Sequence, residues 1–178
     1  MDMAQAAPLP TPPARLAFAA VSLRFECLSE AELQRGFVPF YHFRITVSST
    51  DVGHINFRVG ETDHIRLYAG HIGYQVQERF RGGGYAFQAC RALEPFIRKI
   101  YREVIITADP DNQPSLRTIE RLGALFIDQI FFPAGDPQYG KASRVKNRFF
   151  WKPGQVLPGL SYAPQQRDQT DQKGGPGA

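Results

Sequence analysis

The sequence predicts a mixed α/β domain with a partly antiparallel sheet, and three observations lead there. Several short segments alternate apolar and polar residues, one longer one carries apolar residues at helical spacing and cap signals mark two further helices, and the order is strand, helix, several strands, helix, strand, helix, two strands. With 178 residues the chain suits one domain; its 43% hydrophobic and 21% charged residues exclude collagen-like, coiled-coil and wholly disordered architectures. No apolar run approaches the roughly 20 residues of a membrane helix. Leu16 to Leu23 follows Asp2 and a proline cluster instead of a basic segment, which argues against a secretory signal. Two cysteines far apart, Cys27 and Cys90, give neither a disulfide framework nor a metal spacing, so both are expected as buried thiols in a reducing cytoplasm. A net charge of +4 permits an anionic partner without demanding nucleic acid.

The ends differ from the middle. Residues 1–15 hold Pro8, Pro10, Pro12 and Pro13 with almost no branched apolar residues and are expected to be a disordered leader. Residues 154–178 share a Gly, Pro and Gln bias and are expected to be a disordered tail, leaving 16–153 as the single folded domain. Val21 to Cys27 reads as a strand, and Ser29 with Glu32 three positions on forms the capping-box start of a short helix. Phe40 to Ser48 and Gly53 to Gly60 alternate as a hairpin around Ser-Thr-Asp-Val-Gly. Tyr68 to Gln77 is a strand with Ile72, Tyr74 and Val76 on one face and His71, Gly73 and Gln75 on the other. Ala86, Ala89, Cys90, Leu93, Ile97 and Ile100 mark a helix that Pro95 should kink. Glu103 to Thr107 is a β-branched strand; Asn112 caps the next helix, Pro114 fits its first turn and Gly123 its left-handed stop. Leu125 to Phe132 and Val145 to Lys152 complete the strands.

The segment richest in chemistry is IGYQVQERFRGGGYAFQA, residues 72–89, where a strand passes through arginines and glycines into a helix. Such a turn lets successive backbone N–H groups and the helix N-terminus converge on an anion, with a phosphate or pyrophosphate as natural guest. The nucleotide P-loop spacing is absent, and the dinucleotide G-x-G-x-x-G fails at Phe87. Arg/Gln-x-x-Gly-x-Gly/Ala fits twice, as Arg79, Gly82, Gly84 and as Arg81, Gly84, Ala86.

On that turn the chain resembles the GNAT N-acetyltransferase superfamily, in its ribosomal-protein-acetyltransferase-like branch. DPDNQPSLRTIERLGAL is similar to the second family signature, and Gly36-Phe-Val-Pro39 with Gly70-His-Ile-Gly-Tyr74 points to a subgroup of bacterial predicted acetyltransferases. The likeness covers most of Val21 to Lys152. It implies a GNAT-like fold: a central, mostly antiparallel six- or seven-stranded sheet, splayed between its fourth and fifth strands, with helices on both faces. It also implies acetyl-coenzyme A as co-substrate, with no metal. Carried over, Gln75 and Val76 offer backbone groups to the pantetheine and thioester. Arg81, Gly82, Gly83, Gly84, Tyr85 and Ala86 cradle the pyrophosphate; Asn112 and Ser115 contact the pantetheine arm.

The implied reaction is attack of a neutral primary amine on the thioester carbonyl, with backbone N–H groups near Gln75 stabilising the oxyanion. A base or water chain must take the amine proton, and His71 is the first candidate, ahead of Glu61 and Asp63, because its strand should line the acetyl site. Many family members place a general-acid Tyr seven residues after the Asn. Here that position is Ile119, leaving Ser115, Tyr139 or water for the task. A thiol leaving group with a pKa of about 8.5 needs little help. The alternative is a non-catalytic acyl-coenzyme A-binding or sensor domain. His42, His54 and His64 lack metal-ligand spacing, and the basic, aromatic Lys141 to Lys152 alternates as a sheet strand, which argues against an RNA-binding reading. Glu30, Glu32, Glu61 and Asp63 would suit a cationic amine, small or on a protein; the acceptor, and whether the chain is a monomer or homodimer, stay open.

Overall fold

The computed structural model describes residues 8–32, 37–133 and 144–155. Eight strands form one sheet: β1 (Leu16–Phe18), β2 (Val21–Ser29), β3 (Phe40–Val47), β4 (Thr50–Arg58), β5 (Ile72–Val76), β6 (Val104–Ala108), β7 (Leu125–Phe131) and β8 (Val145–Trp151). Their spatial order is β1-β2-β3-β4-β5-β6-β8-β7, and every pairing is antiparallel except β5 with β6. The short β1 makes eight strands where six or seven were expected. Two α-helices, α1 (Tyr85–Ile97) and α2 (Gln113–Arg121), follow β5 and β6.

Strand parity places the core. Tyr41, Phe43 and Ile45 of β3, with Ile55 and Phe57 of β4, turn toward α1, and Phe96 of that helix meets the rings of Tyr41, Phe43 and Phe57 edge-on. Burying each such side chain contributes roughly 1.5–3 kcal/mol. Ile119 and Leu122 of α2 join the same cluster. Among the described residues the opposite face carries the π-helical turn His64–Ala69, whose Ile65 is buried.

Several expectations need correction. Residues 8–15 are not loose: Leu9 packs against the core and the Tyr41 hydroxyl donates to the Pro10 carbonyl at 2.6 Å. A proline-rich segment, already stiff, loses less entropy on docking than its composition suggests. Residues 1–7 and 156–178 lie outside the described residues. No capping box forms at Ser29, which ends β2, and Glu32 pairs with Phe37 through two backbone hydrogen bonds. The hairpin loop is shorter than read: Ser48 and Ser49, at φ 46° and 68°, make the two-residue turn, and Thr50 to Val52 belong to β4. Tyr68 and Ala69 are helical, not extended, because Gly70 at φ 65° closes that turn and its N–H bonds the Ile65 carbonyl before β5 begins. The helix α1 ends two residues beyond Pro95 and does not reach Ile100. Cys90 is buried, but Cys27 is exposed.

Candidate active site

The site begins where β5 and β6 part. Each is paired along its outer edge, β5 to β4 and β6 to β8, yet to each other they register at a single position, Ile72 with Ile106. The expected splay is therefore present. At its closed end the His71 N–H donates to the Ile105 carbonyl at 2.7 Å, and the Ile105 N–H donates to His71 Nδ1 at 3.0 Å. Beyond that clamp the inner edge of β5 from Gly73 onward is left without a strand partner, so its backbone groups face the cleft. Gly53 lets β4 follow β5 closely there, since a Cβ would fall 2.1 Å from the Gln75 carbonyl oxygen.

The cleft opens on one side into a groove of about 570 Å³ between β5, the glycine turn and α2. Gln75, Val76, Arg81, Gly82, Gly84, Tyr85, Ala86, Asn112 and Ser115 all line it, as expected from the sequence. Gly83 does not: a Cβ there would lie 2.8 Å from the Tyr85 ring, and its carbonyl accepts from Gln88 Nε2. Of the two overlapping motif registers, only Arg81-Gly84-Ala86 has all its members at the groove; Arg79 lies over the Phe80 ring instead. Gly82 at φ 89° looks into open space, and Gly84 at φ 70° sits at the N-cap of α1. A side chain at either position would meet a strained backbone. The first N–H groups of α1 have no partner within the helix and point out of its N-terminus.

The groove is electropositive. Arg117 and Arg121 on α2 join Arg81 along its wall, and no carboxylate lines it among the described residues. The sequence reading missed both α2 arginines, although their i, i+4 spacing on the helix after Asn112 was available. Asn112 Oδ1 accepts the Ser115 N–H at 3.2 Å, a helix cap at the groove edge.

On its other side the cleft continues into a smaller cavity of about 230 Å³, which shares Tyr74, Asn112 and Ser115 with the groove. At that junction the Tyr74 hydroxyl lies 2.9 Å from Ser115 Oγ. Burial pushes the Tyr74 phenol well above its usual pKa, so it remains a proton-bearing donor. Ile119 is fully buried in the core and lines neither cavity. The phenol at this site thus comes from β5, not α2.

His71 is not a base poised at the cleft. It is 2% exposed, lines neither cavity, and packs its ring on Tyr101. Because the Ile105 N–H occupies Nδ1, the ring proton belongs on Nε2, which faces Glu61 Oε1 at 3.3 Å. Burial, only partly opposed by Glu61, holds its pKa below the ordinary histidine value. Glu61 also pairs with Arg66 at 3.0 Å, and Asp63 precedes the π-helical turn; neither reaches a cavity wall. Glu30 and Glu32 line neither cavity. Tyr139 and the loop around Asp136 lie outside the described residues.

The family and the fold have counterparts among known proteins. A family model described as an acetyltransferase (GNAT) domain matches residues 4–125. Among solved structures, the chain is similar to a microcin self-immunity acetyltransferase, MccE, in complex with acetyl-coenzyme A and AMP, at 16% identity, TM-score 0.51 and 69% of this chain. It is similar to a ribosomal-protein alanine acetyltransferase from Vibrio fischeri at 15% identity, TM-score 0.50 and 67% of this chain. It also resembles RimL, a ribosomal-protein α-N-acetyltransferase in complex with coenzyme A, at 22% identity, TM-score 0.49 and 67% coverage. The aligned part spans 64% of the length of each of these three. No curated protein matches the sequence.

Proposed function

The chain belongs to the GNAT acetyltransferase family, and from that premise we propose that it transfers the acetyl group of acetyl-coenzyme A to a primary amine. The carrying observation is the electropositive groove that runs from the glycine turn to the open edge of β5. In this reading the N–H groups around Gly82 and Gly84, with Arg81, Arg117 and Arg121, hold the pyrophosphate. Gln75 and Val76 present backbone groups to the pantetheine, and Asn112 and Ser115 border its path. Acetyl-coenzyme A supplies an activated acetyl thioester.

The smaller cavity is then the acceptor side. Tyr74 and Ser115, at the junction, hold hydroxyl donors where the thioester and amine meet, and their hydrogen bonds favour departure of the sulfur as thiolate. Asp109, paired with Lys146, is the carboxylate lining this cavity and orients the incoming amine. His71 acts as a positioning residue: it ties β5 to β6 at the closed end and thereby sets the width of the splay. The amine proton leaves through the polar cavity to solvent.

Isothermal titration of acetyl-coenzyme A into wild type and Gly84→Glu tests the reading. Micromolar binding to wild type and its loss in the variant support the donor site, provided the variant keeps its wild-type circular dichroism. No binding to wild type removes the acetyltransferase reading. Binding without turnover on any amine makes the protein an acyl-coenzyme A sensor instead.

A further inference from the structure

Charges around the acceptor-side cavity do not balance. Among the described residues its charged lining is Arg58 from β4, Asp109 just after β6, and Lys146 from β8. Lys146 and Asp109 form an ion pair, which leaves the Arg58 guanidinium without a counter-charge among the described residues. Three other arginines nearby have carboxylate partners, Arg44 with Asp51, Arg66 with Glu61 and Arg148 with Asp128. Arg58 instead donates Nη1 to the carbonyls of Ala69 and Gly70, each at 3.3 Å, and no protein acceptor among the described residues takes Nε or Nη2.

Its position is built, not incidental. The guanidinium lies on the bare Cα of Gly73, where a Cβ would fall 3.0 Å from Nη2 and 3.1 Å from Nη1. Arg58 and the junction hydroxyls of Tyr74 and Ser115 line the same cavity. Desolvation holds the Arg58 pKa below its usual value, with no carboxylate to raise it. A half-buried cation held by carbonyls alone, with no counter-charge, is costly, and an anion docking against it offsets part of that cost.

We propose that Arg58 is a specificity-determining residue which binds a carboxylate on the acceptor, so that the substrate is a small primary amine carrying a carboxylate, of the α-amino-acid type. This rests on the reading of the cavity as the acceptor side of an acetyltransferase. One unpaired unit charge matches a monoanionic carboxylate better than a phosphate dianion, and the planar guanidinium fork suits carboxylate geometry. The ends of the cavity then divide the work: Arg58 takes the carboxylate, Asp109 faces the amine, and Tyr74 with Ser115 lies between donor and acceptor. This choice reverses the expectation of a purely cationic acceptor, because the acidic residues on which that expectation stood line neither cavity.

The test measures coenzyme A release by the full-length protein with acetyl-coenzyme A and a panel of the proteinogenic α-amino acids, each beside its C-terminal amide. Wild type is expected to favour an acid over its amide by about 10- to 100-fold in kcat/KM, the size of one charge-assisted contact. In Arg58→Met that preference should collapse through a raised KM for the acid, with the dissociation constant for acetyl-coenzyme A unchanged. Amides accepted as well as acids, turnover of no carboxylate-bearing amine, or an acid preference retained in Arg58→Met would each overturn the proposal. The wild-type panel decides alone should the variant fold poorly. Absence of acetyl-coenzyme A binding to wild type overturns the acetyltransferase reading itself, and this proposal with it.

Discussion

The groove at the glycine turn and the smaller cavity meet at Tyr74 and Ser115, yet they are made differently. The groove is local: one run of chain from Gln75 to Ala86 supplies most of its wall, and its ligand-facing groups are backbone N–H donors exposed by glycine. The cavity is assembled from β4, β5, β6, β8 and α2, and its character comes from side-chain charges that become neighbours only when the sheet closes. A site built from contiguous backbone tolerates change elsewhere and keeps its ligand. One built from distant side chains can change its ligand through a single substitution, which is how one fold keeps its donor while its acceptors diverge.

The sharpest way to break this contrast is to remove what both sites stand on. Phe96 is fully buried against Tyr41, Phe43 and Phe57. Phe96→Ala should lose about 3–5 kcal/mol of stability, measured by urea unfolding, with both sites failing together. A smaller loss would mean that the sheet, and not α1, carries the core.

Next in size is the junction. Tyr74→Phe removes the hydroxyl while keeping the ring, and Ser115→Ala removes its partner. Each should lower kcat by about tenfold, the scale of one hydrogen bond in the reacting geometry, while acetyl-coenzyme A binds as before. A fall in affinity with kcat unchanged would move both residues into the donor groove proper. A double variant no worse than either single one shows that they act as a unit.

The same contrast explains what was legible in the sequence. The glycine turn could be read because anion binding by backbone needs particular residues at fixed short spacings; of its glycines, Gly83 is the one that does not line the groove. The splay was implied by family resemblance; the His71–Ile105 clamp at its closed end spans 34 positions. Parity within one strand could not reveal that the Ile105 N–H would take the lone pair of the His71 ring. Arg58 read as one more polar residue of an alternating hairpin, because nothing local says that Lys146 and Asp109 will pair and leave it alone. Strand parity found faces; partners across the sheet were beyond it.

His71 supplies a pH test of that clamp. Its folded-state pKa is lowered by burial, so below about pH 6.5 the unfolded chain binds a proton that the folded chain resists. Stability should therefore fall as pH drops through that region, by at most about 1.4 kcal/mol per pH unit for this one group. His54, lowered by burial and by His42, acts in the same direction. His71→Gln should be less stable at pH 7.5 and show a shallower decline between pH 7 and 5. An unchanged slope would assign the acid sensitivity to His54 and remove His71 from the account.

The smallest effect concerns Asn112, which lies on the boundary between the two kinds of site. Its side chain caps α2 by accepting the Ser115 N–H, and it borders both cavities. Asn112→Ala should cost about 1 kcal/mol of stability, as lost caps do. Asn112→Asp keeps the capping oxygen and places a negative charge at the positive end of α2, so thermal stability should return to near wild type. Acetyl-coenzyme A affinity separates the roles. If Asn112 is a cap alone, the Asp variant recovers affinity together with stability; if its amide also meets the pantetheine, stability returns and affinity does not. We expect the second outcome, because Asn112 lies on the groove wall in the company of Ser115 and not behind it.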